Sequence, residues 1–232
     1  MQIPKIIHQL WEEEKGPPPE FLLDLSQTWK DHHPDWKYVF WNGEKMDNFM
    51  AKHSEYRDVY VSYPYAVQRW DLIRYLILYE YGGVYADLDY ECIEALDDLL
   101  ENESCCLAFD PEEHACIFRK SHIVTNAFMA VEAKHPFFKQ ILDHLLSDDL
   151  DRPDKADKFN YVLETTGPYM LTRLYDGYDF KDSIRLLPAS VISPLTKNEV
   201  ARCIRGKMSD EELEQKLQKA VAIHYFYGSW YS

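Results

Sequence analysis

The sequence predicts a single α/β domain with a mainly parallel, Rossmann-like sheet flanked by helices, and three observations carry that reading. The chain opens strand, helix, strand: an apolar run Ile3 to Leu10, an amphipathic stretch Glu20 to Lys30 and an alternating run Trp36 to Trp41. Its centre, Ala66 to Tyr81, is apolar almost all the way round and free of proline, as a buried helix is, and it stops at Gly82-Gly83. Val84, Tyr85 and Ala86 then make a short strand that runs out into Asp87-Leu88-Asp89. Two acids are thereby aimed just beyond a strand's carboxyl end, where open α/β sheets bind ligands. A chain of 232 residues is long enough for one well-buried domain and short for two, so residues 1–232 are read as one unit.

The first strand ends at Trp11, and His8 within it reads as a hydrogen-bonded core histidine. Gly16-Pro17-Pro18-Pro19 is a loop, after which Phe21, Leu22, Leu25 and Trp29 share one side of the first helix. Pro34-Asp35 turns the chain into the second strand, which ends at Asn42. Asn42-Gly43 is first a turn signal, with a contact to ribose or base as the other reading of Asn42. Glu44 to His53 is expected as a helix and Glu55 to Tyr65 as an aromatic loop. Asp71 and Arg74, three residues apart, share a face of the central helix. Gly82 and Gly83 take the positive φ that ends it. Alternation along the next strand points Asp87 and Asp89 the same way, with Leu88 toward the core.

Beyond the aspartates, Ile93 to Leu100 is expected as a surface helix, and Ser104 to Phe109 and Ala115 to Phe118 as short strands. Asn126 to Ala133 and Pro136 to Leu146 read as helices, the second opened by its proline. Ser147 to Lys158 is a charge-rich connection, expected to be mobile. Thr165-Thr166-Gly167-Pro168 opens a helix to Tyr175, Ile184 to Val191 is strand-like, and Ser209 caps a helix ending near Lys219. The chain closes with VAIHYFYGSWYS, in which His224 ends an apolar strand.

Composition narrows the partners. A formal net charge of −15 argues against nucleic acid as a partner. It leaves room for a nucleotide whose phosphates a metal neutralises locally. Five cysteines without a C-x-x-C pair fit reduced thiols rather than a disulfide framework or zinc. No run approaches the ~20 apolar residues that cross a bilayer, and the opening MQIPKIIHQLW lacks the features of a signal peptide.

The chemistry centres on the paired acids. Two close carboxylates repel unless something positive sits between them, and oxygen-rich sites suit Mn²⁺ or Mg²⁺. A solvated D-x-D is the alternative for the motif alone. A buried Asp71 and Arg74 beside two further carboxylates are harder to explain as packing, because each buried ion must be satisfied.

Taken together, Asp71-x-x-Arg74, Gly82-Gly83 and Tyr85-x-Asp87-x-Asp89 resemble the signature of the DXD-motif glycosyltransferases. That family includes initiating mannosyltransferases, α-1,4-galactosyl- and N-acetylglucosaminyltransferases and bacterial capsule enzymes. The spacing is also similar to that of the glucosylating domains of large clostridial toxins. The resemblance implies a GT-A fold, a UDP- or GDP-sugar donor, Mn²⁺ or Mg²⁺ as cofactor, and transfer with retention to a glycan or lipid-linked sugar, in surface polysaccharide synthesis. It implies Trp11 as the platform for the base, with a partly buried core indole as the other reading. Asp71, Arg74 and Tyr85 are implied to bind the donor, Asp87 the ribose or the cation, and Asp89 with His224 the metal. For His224 the other reading is a structural histidine. Ser229 and Trp230 resemble the family's closing Ser-Trp, which reaches the diphosphate. Asn126 and His135-Pro136 fall where relatives approach the sugar or acceptor; the resemblance also includes the Thr-Gly-Pro run, whose helix N-terminus is expected to offer backbone N–H groups to hydroxyls or phosphate, with an ordinary cap as the other reading. No nucleophile is assigned; Glu164 is the residue considered. Family members of the secretory pathway carry a membrane anchor, and none is read here, so a cytoplasmic enzyme is expected, with peripheral membrane contact left open.

Two other readings compete. An aspartyl-phosphate phosphatase also places D-x-D after a strand, but it wants threonine or valine where this chain has Glu91. A catalytically inactive nucleotide-sugar-binding subunit would use the same residues without turnover.

Overall fold

A computed structural model of the protein describes residues 2–11, 16–147 and 154–228. The first half runs β1 (Ile6–Leu10), α1 (Glu20–His32), β2 (Lys37–Trp41), α2 (Gly43–Met50), α3 (Arg57–Ser62), α4 (Ala66–Tyr81), β3 (Gly83–Ala86), β4 (Tyr90–Cys92), α5 (Asp97–Leu100) and β5 (Cys105–Phe109). The second runs α6 (Glu112–Ile117), β6 (Val124–Val131), α7 (Pro136–Leu146), α8 (Lys158–Thr165), α9 (Pro168–Asp176), β7 (Arg185–Leu187), α10 (Ala189–Ile192), α11 (Lys197–Ile204), α12 (Asp210–Leu217) and β8 (Ala222–His224).

Six strands form the main sheet in the order β2-β1-β3-β6-β5-β7. β1 is parallel to β2 and β3, and β5 to β7, whereas β6 is antiparallel to both of its neighbours, so five of the six strands run one way. The carboxyl ends of β3 and β5 therefore meet the amino end of β6 along one edge. A two-stranded sheet, β4 with β8, lies beyond that edge.

Helix α4 has the predicted bounds, and Leu72, Ile73, Tyr75, Leu76, Ile77 and Leu78 are fully buried, which is why its pattern shows no polar face. It stops at Gly82, whose φ is 63°, and Gly83 follows at 98°. Both positions need glycine for space as well as for conformation. A Cβ on Gly82 would lie 2.6 Å from the Ala133 nitrogen, and one on Gly83 would lie 2.5 Å from the Ile6 carbonyl oxygen. His8 fixes the same corner: its Nε2 donates to the Gly82 carbonyl at 3.0 Å and its Nδ1 accepts from Trp41 Nε1 at 3.1 Å. The expected core histidine is thus present as a neutral, doubly bonded ring.

Several expected elements are corrected. Asn126 to Ala133 is not a helix but lies largely in β6, whose eight residues are all buried. A short, continuously apolar run reads alike as buried helix or buried strand, and here pairing with β3 and β5 decides. Ala115 to Phe118 belongs to the end of α6 rather than to a strand. Of the expected helix Ile93 to Leu100 only α5 is helical; the segment before it follows β4 as irregular chain, with the Ile93 and Glu94 N–H groups donating to the Val221 carbonyl. Glu55 to Tyr65 contains a 3₁₀ turn and α3 rather than only loop. The strand expected over Ile184 to Val191 is confined to β7 and gives way to α10 after Pro188. Half of the charge-rich connection, residues 148–153, lies outside the described residues, and α8 starts at its end, capped by Asp157.

Candidate active site

Asp87 is the first residue past β3. The chain does not continue extended from there: Tyr90 N–H donates to the Asp87 carbonyl at 3.1 Å, closing a turn through Leu88 and Asp89. The two acids still converge, because the turn does what strand alternation was expected to do. From the other end of the chain, β8 pairs with β4 so that His224 lies opposite Tyr90. One ligand-capable atom from each of Asp87, Asp89 and His224 falls within 4.8 Å of the others. His224 Nε2 is 3.3 Å from Asp89 Oδ1, and the Tyr227 N–H donates to Asp89 Oδ2 at 2.7 Å. The imidazole stacks on the Tyr90 ring at 4.2 Å and meets the tilted Phe226 ring at 4.0 Å.

The charges of this cluster depend on one another. Burial and the neighbouring Asp89 carboxylate push Asp87 up, against the pull of Arg74. Its side chain keeps 30% of its surface exposed, so the desolvation is partial. Burial also opposes ionisation of Asp89, but His224, its hydrogen bond and the Tyr227 N–H together hold that carboxyl below its ordinary value. Burial disfavours an imidazolium at His224, yet Asp89, Asp87 and Asp110 raise it. Acid surplus is the local state, and the His224 imidazole is the side chain that faces Asp89.

Arg74 and Asp71 project from α4 beneath this cluster, both buried. Arg74 Nη1 donates to Asp87 Oδ1 at 3.0 Å and to the Asn126 carbonyl at 3.1 Å, Nη2 lies 3.4 Å from Asp71 Oδ1, and the guanidinium stands 4.8 Å over the Tyr85 ring. Asp71 accepts from Asn126 Nδ2 at 2.9 Å and from Thr166 Oγ1 at 2.7 Å. Burial pushes the Asp71 carboxyl up to about 6, against the pull of Arg74 and these hydrogen bonds. Asn126 reaches this position through an irregularity in β6. Where β5 steps from Leu107 to Ala108, its partner jumps from Met129 to Thr125, so Asn126, Ala127 and Phe128 bulge away from β5. A bulge beside a site re-aims a side chain, and here it turns Asn126 onto Asp71.

These groups border a cavity of about 540 Å³. Trp11, Asp71, Arg74, Asp87, Asp89 and His224, all singled out from the sequence, line it. Trp11 is held by a hydrogen bond from its Nε1 to the Gly16 carbonyl at 2.9 Å. Tyr85 is in the constellation but not on the cavity wall: it is buried and gives its hydroxyl to Asp87 Oδ1 at 2.6 Å, so it positions the acid from behind. Ser229 and Trp230 lie outside the described residues. Glu164 is bound to Lys120 and Arg173 and is absent from the lining among the described residues. His135 caps α7 by accepting from Phe137 N–H, and Asn42 caps α2, so these two serve the helices. Thr166 contributes its side chain to Asp71 rather than a helix-terminal N–H. Sequence reasoning missed Trp70, Asp110, His114 and Tyr227 on the wall. Asp110, the first residue past β5, was findable by the rule that picked out Asp87; the other three carried no signal of their own.

Two carboxylates and an imidazole offer the hard-to-borderline donors that Mn²⁺ or Mg²⁺ accepts. His224 Nε2 is the ring nitrogen that faces Asp89, whereas Nδ1 is buried without a hydrogen-bond partner among the described residues. Asp87, Asp89 and His224 therefore fit a divalent cation.

Residues 19–106 match the family described as the glycosyltransferase sugar-binding region containing a DXD motif. Inositol phosphoceramide mannosyltransferase 1 of Schizosaccharomyces pombe is 34% identical over 195 residues, 81% of this chain and 56% of that protein. The chain spans about half the length of such fungal relatives, 46% in the case of inositol phosphoceramide mannosyltransferase 3. A protein of Acanthamoeba polyphaga mimivirus named as an uncharacterized glycosyltransferase, L373, is 33% identical across 98% of this chain and 84% of its own length. Among solved structures, the PaToxG glycosyltransferase superposes with a TM-score of 0.53 at 17% identity, covering 94% of this chain and 79% of that one. The glycosyltransferase domain of the YGT toxin gives 0.54 at 10% identity, covering 80% of each. These two likenesses concern the fold, which is that of GT-A glycosyltransferases.

Proposed function

Because this chain belongs to the glycosyltransferases whose sugar-binding region contains a DXD motif, we propose that it is a metal-dependent, retaining hexosyltransferase. It moves a hexose or N-acetylhexosamine from a UDP- or GDP-sugar to a hydroxyl of a glycan or lipid-linked acceptor. Mannose is the sugar to test first, since the fungal relatives are named as mannosyltransferases acting on inositol phosphoceramide. Surface polysaccharide synthesis is the setting we infer from the sequence resemblance. No described helix is long and apolar enough to cross a membrane.

The observation that carries the proposal is the meeting of Asp87, Asp89 and His224 on the wall of a cavity that Asp71 and Arg74 also line. Breaking a sugar–diphosphate bond leaves negative charge on the leaving phosphate, and catalysis consists largely of stabilising that charge as it grows. A divalent cation held by Asp89 and His224, with Asp87 beside it, supplies that stabilisation when bound. The chain's own part is orientation. Arg74 anchors Asp87 against Asp71, and Asp71, fixed by Asn126 and Thr166, presents a carboxylate edge to the donor sugar's hydroxyls. Trp11 offers an aromatic face to the base from the end of β1.

The deciding experiment is a screen of UDP- and GDP-hexoses for Mn²⁺-dependent release of sugar, repeated on Asp89→Ala. Release by the wild type and none by the variant, with an unchanged circular-dichroism spectrum, is the expected outcome. Equal release by both sinks the site assignment. Donor binding by the wild type without any product identifies a binding subunit instead.

A further inference from the structure

Beyond the acids that the transferase reading uses, the cavity wall carries one further carboxylate, that of Asp110, whose charge also reaches His224. Its position follows from the sheet. β5 is parallel to β3, with only β6 between them, so Asp110 leaves β5 along the edge where Asp87 leaves β3. Two strand spacings separate these tips, roughly 10 Å. That is room for one sugar ring between them, over the amino end of β6, where Asn126 and Asp71 already present polar atoms.

Asp110 is held rather than loose. Its backbone N–H donates to the Ile123 carbonyl at 2.9 Å, and its Oδ2 lies 3.4 Å from His114 Nδ1. His114 is itself fixed, because its Nε2 accepts from the Lys197 backbone N–H at 3.1 Å and its ring stands edge-on to Phe226 at 4.9 Å. With Nε2 occupied as an acceptor, the ring carries its proton on Nδ1 and points it at Asp110. Asp110 Oδ1 has no partner among the described residues, and the side chain is 18% exposed. Elsewhere on the wall of the same cavity, at the end of α6, stand Ile117 at 61% and Phe118 at 43% exposure. A carboxylate oxygen and an exposed aromatic ring facing one cavity match a pyranose or cyclitol, which has hydroxyls on its edge and C–H groups on its face.

We propose that Asp110 receives the acceptor: its carboxylate accepts a hydrogen bond from a hydroxyl of a sugar or cyclitol laid against the Ile117–Phe118 wall. His114 is the positioning residue that aims it. The proposal rests on the transferase reading above, and names the side of the cavity from which the second substrate enters. The cluster at Asp87 holds the donor, and a separate acid one ring-width away sorts the molecules that attack it.

The experiment measures the partition between donor hydrolysis and transfer, with octyl α-D-mannoside, octyl β-D-galactoside and myo-inositol as acceptors and Mn²⁺ present. In Asp110→Asn the ratio of transfer to hydrolysis is expected to fall at least fivefold, while thermal melting shows the protein folded. A smaller change overturns the proposal, including the case in which both rates fall together, which would assign Asp110 to the donor. Donor hydrolysis by the wild type with transfer to none of the three acceptors also overturns it. Absence of hydrolysis and transfer alike sinks the transferase reading itself, a distinct result. His114→Phe, which keeps a ring against Phe226 but frees Asp110, is expected to raise the acceptor KM more than the donor KM. Lost packing alone would not give that split.

Discussion

Arg74 shows how much one side chain settles at this site. Its guanidinium ties Asp71, Asp87 and the Asn126 carbonyl together over the Tyr85 ring, a forked geometry that an ammonium does not reproduce. Replacing it with methionine leaves the buried Asp71 and the half-buried Asp87 without their shared cation, so Arg74→Met is expected to lose about 3 kcal/mol of stability, checked by urea denaturation. His8 supplies a prediction in pH. Burial lowers its pKa to about 4, and the bond from Trp41 Nε1 occupies the nitrogen that a second proton would need. An unfolded histidine titrates near 6.5, so between the two values the unfolded chain binds more protons. Stability from this residue is therefore complete above pH 6.5 and drains away as pH falls toward 4, by about 3 kcal/mol in all. His8→Gln is expected to flatten that part of the stability–pH curve, read as denaturation midpoints at successive pH values.

Among the elements, α4 and β3 work as one piece joined by a corner that only glycine fits. Gly83→Ala places a methyl against the Ile6 carbonyl in a backbone conformation that side chains disfavour. A loss of at least about 1–3 kcal/mol is expected, visible as a lower melting temperature. This corner was legible in the sequence, as were α4, α7 and the acids, because each is a local pattern: a glycine pair after an apolar run, a proline at a helix start, a D-x-D after a strand. What the sequence did not disclose is non-local. β6 reads as a helix until β3 and β5 flank it, and the bulge that turns Asn126 onto Asp71 exists only in that pairing. β4 is three residues long and owes its form to β8, whose first residue lies 130 positions after Cys92 in their register, Cys92 opposite Ala222. Thr166, suspected for its backbone, serves through its hydroxyl because α8 and α9 bring it to Asp71.

For the whole molecule, the candidate cation site lies across the seam between the two sheets: Asp87 leaves the large one, while Asp89 precedes β4 and His224 ends β8 in the small one. An ion bound there fastens the sheets to each other. At a hundred times its dissociation constant Mn²⁺ should stabilise the fold by about 2.7 kcal/mol. For a chain of this size that is a rise in melting temperature of roughly 5–10 °C. A chelator should reverse the shift and His224→Ala should abolish it, both measurable by differential scanning fluorimetry. The same seam bears on genetics. The match to the DXD-containing sugar-binding region ends at residue 106, before β6 and long before β8. A nonsense codon anywhere from there to residue 221 spares that region yet deprives β4 of its mate and the candidate cation site of its imidazole. Such an allele would keep the motif and is expected to lose metal-dependent transfer.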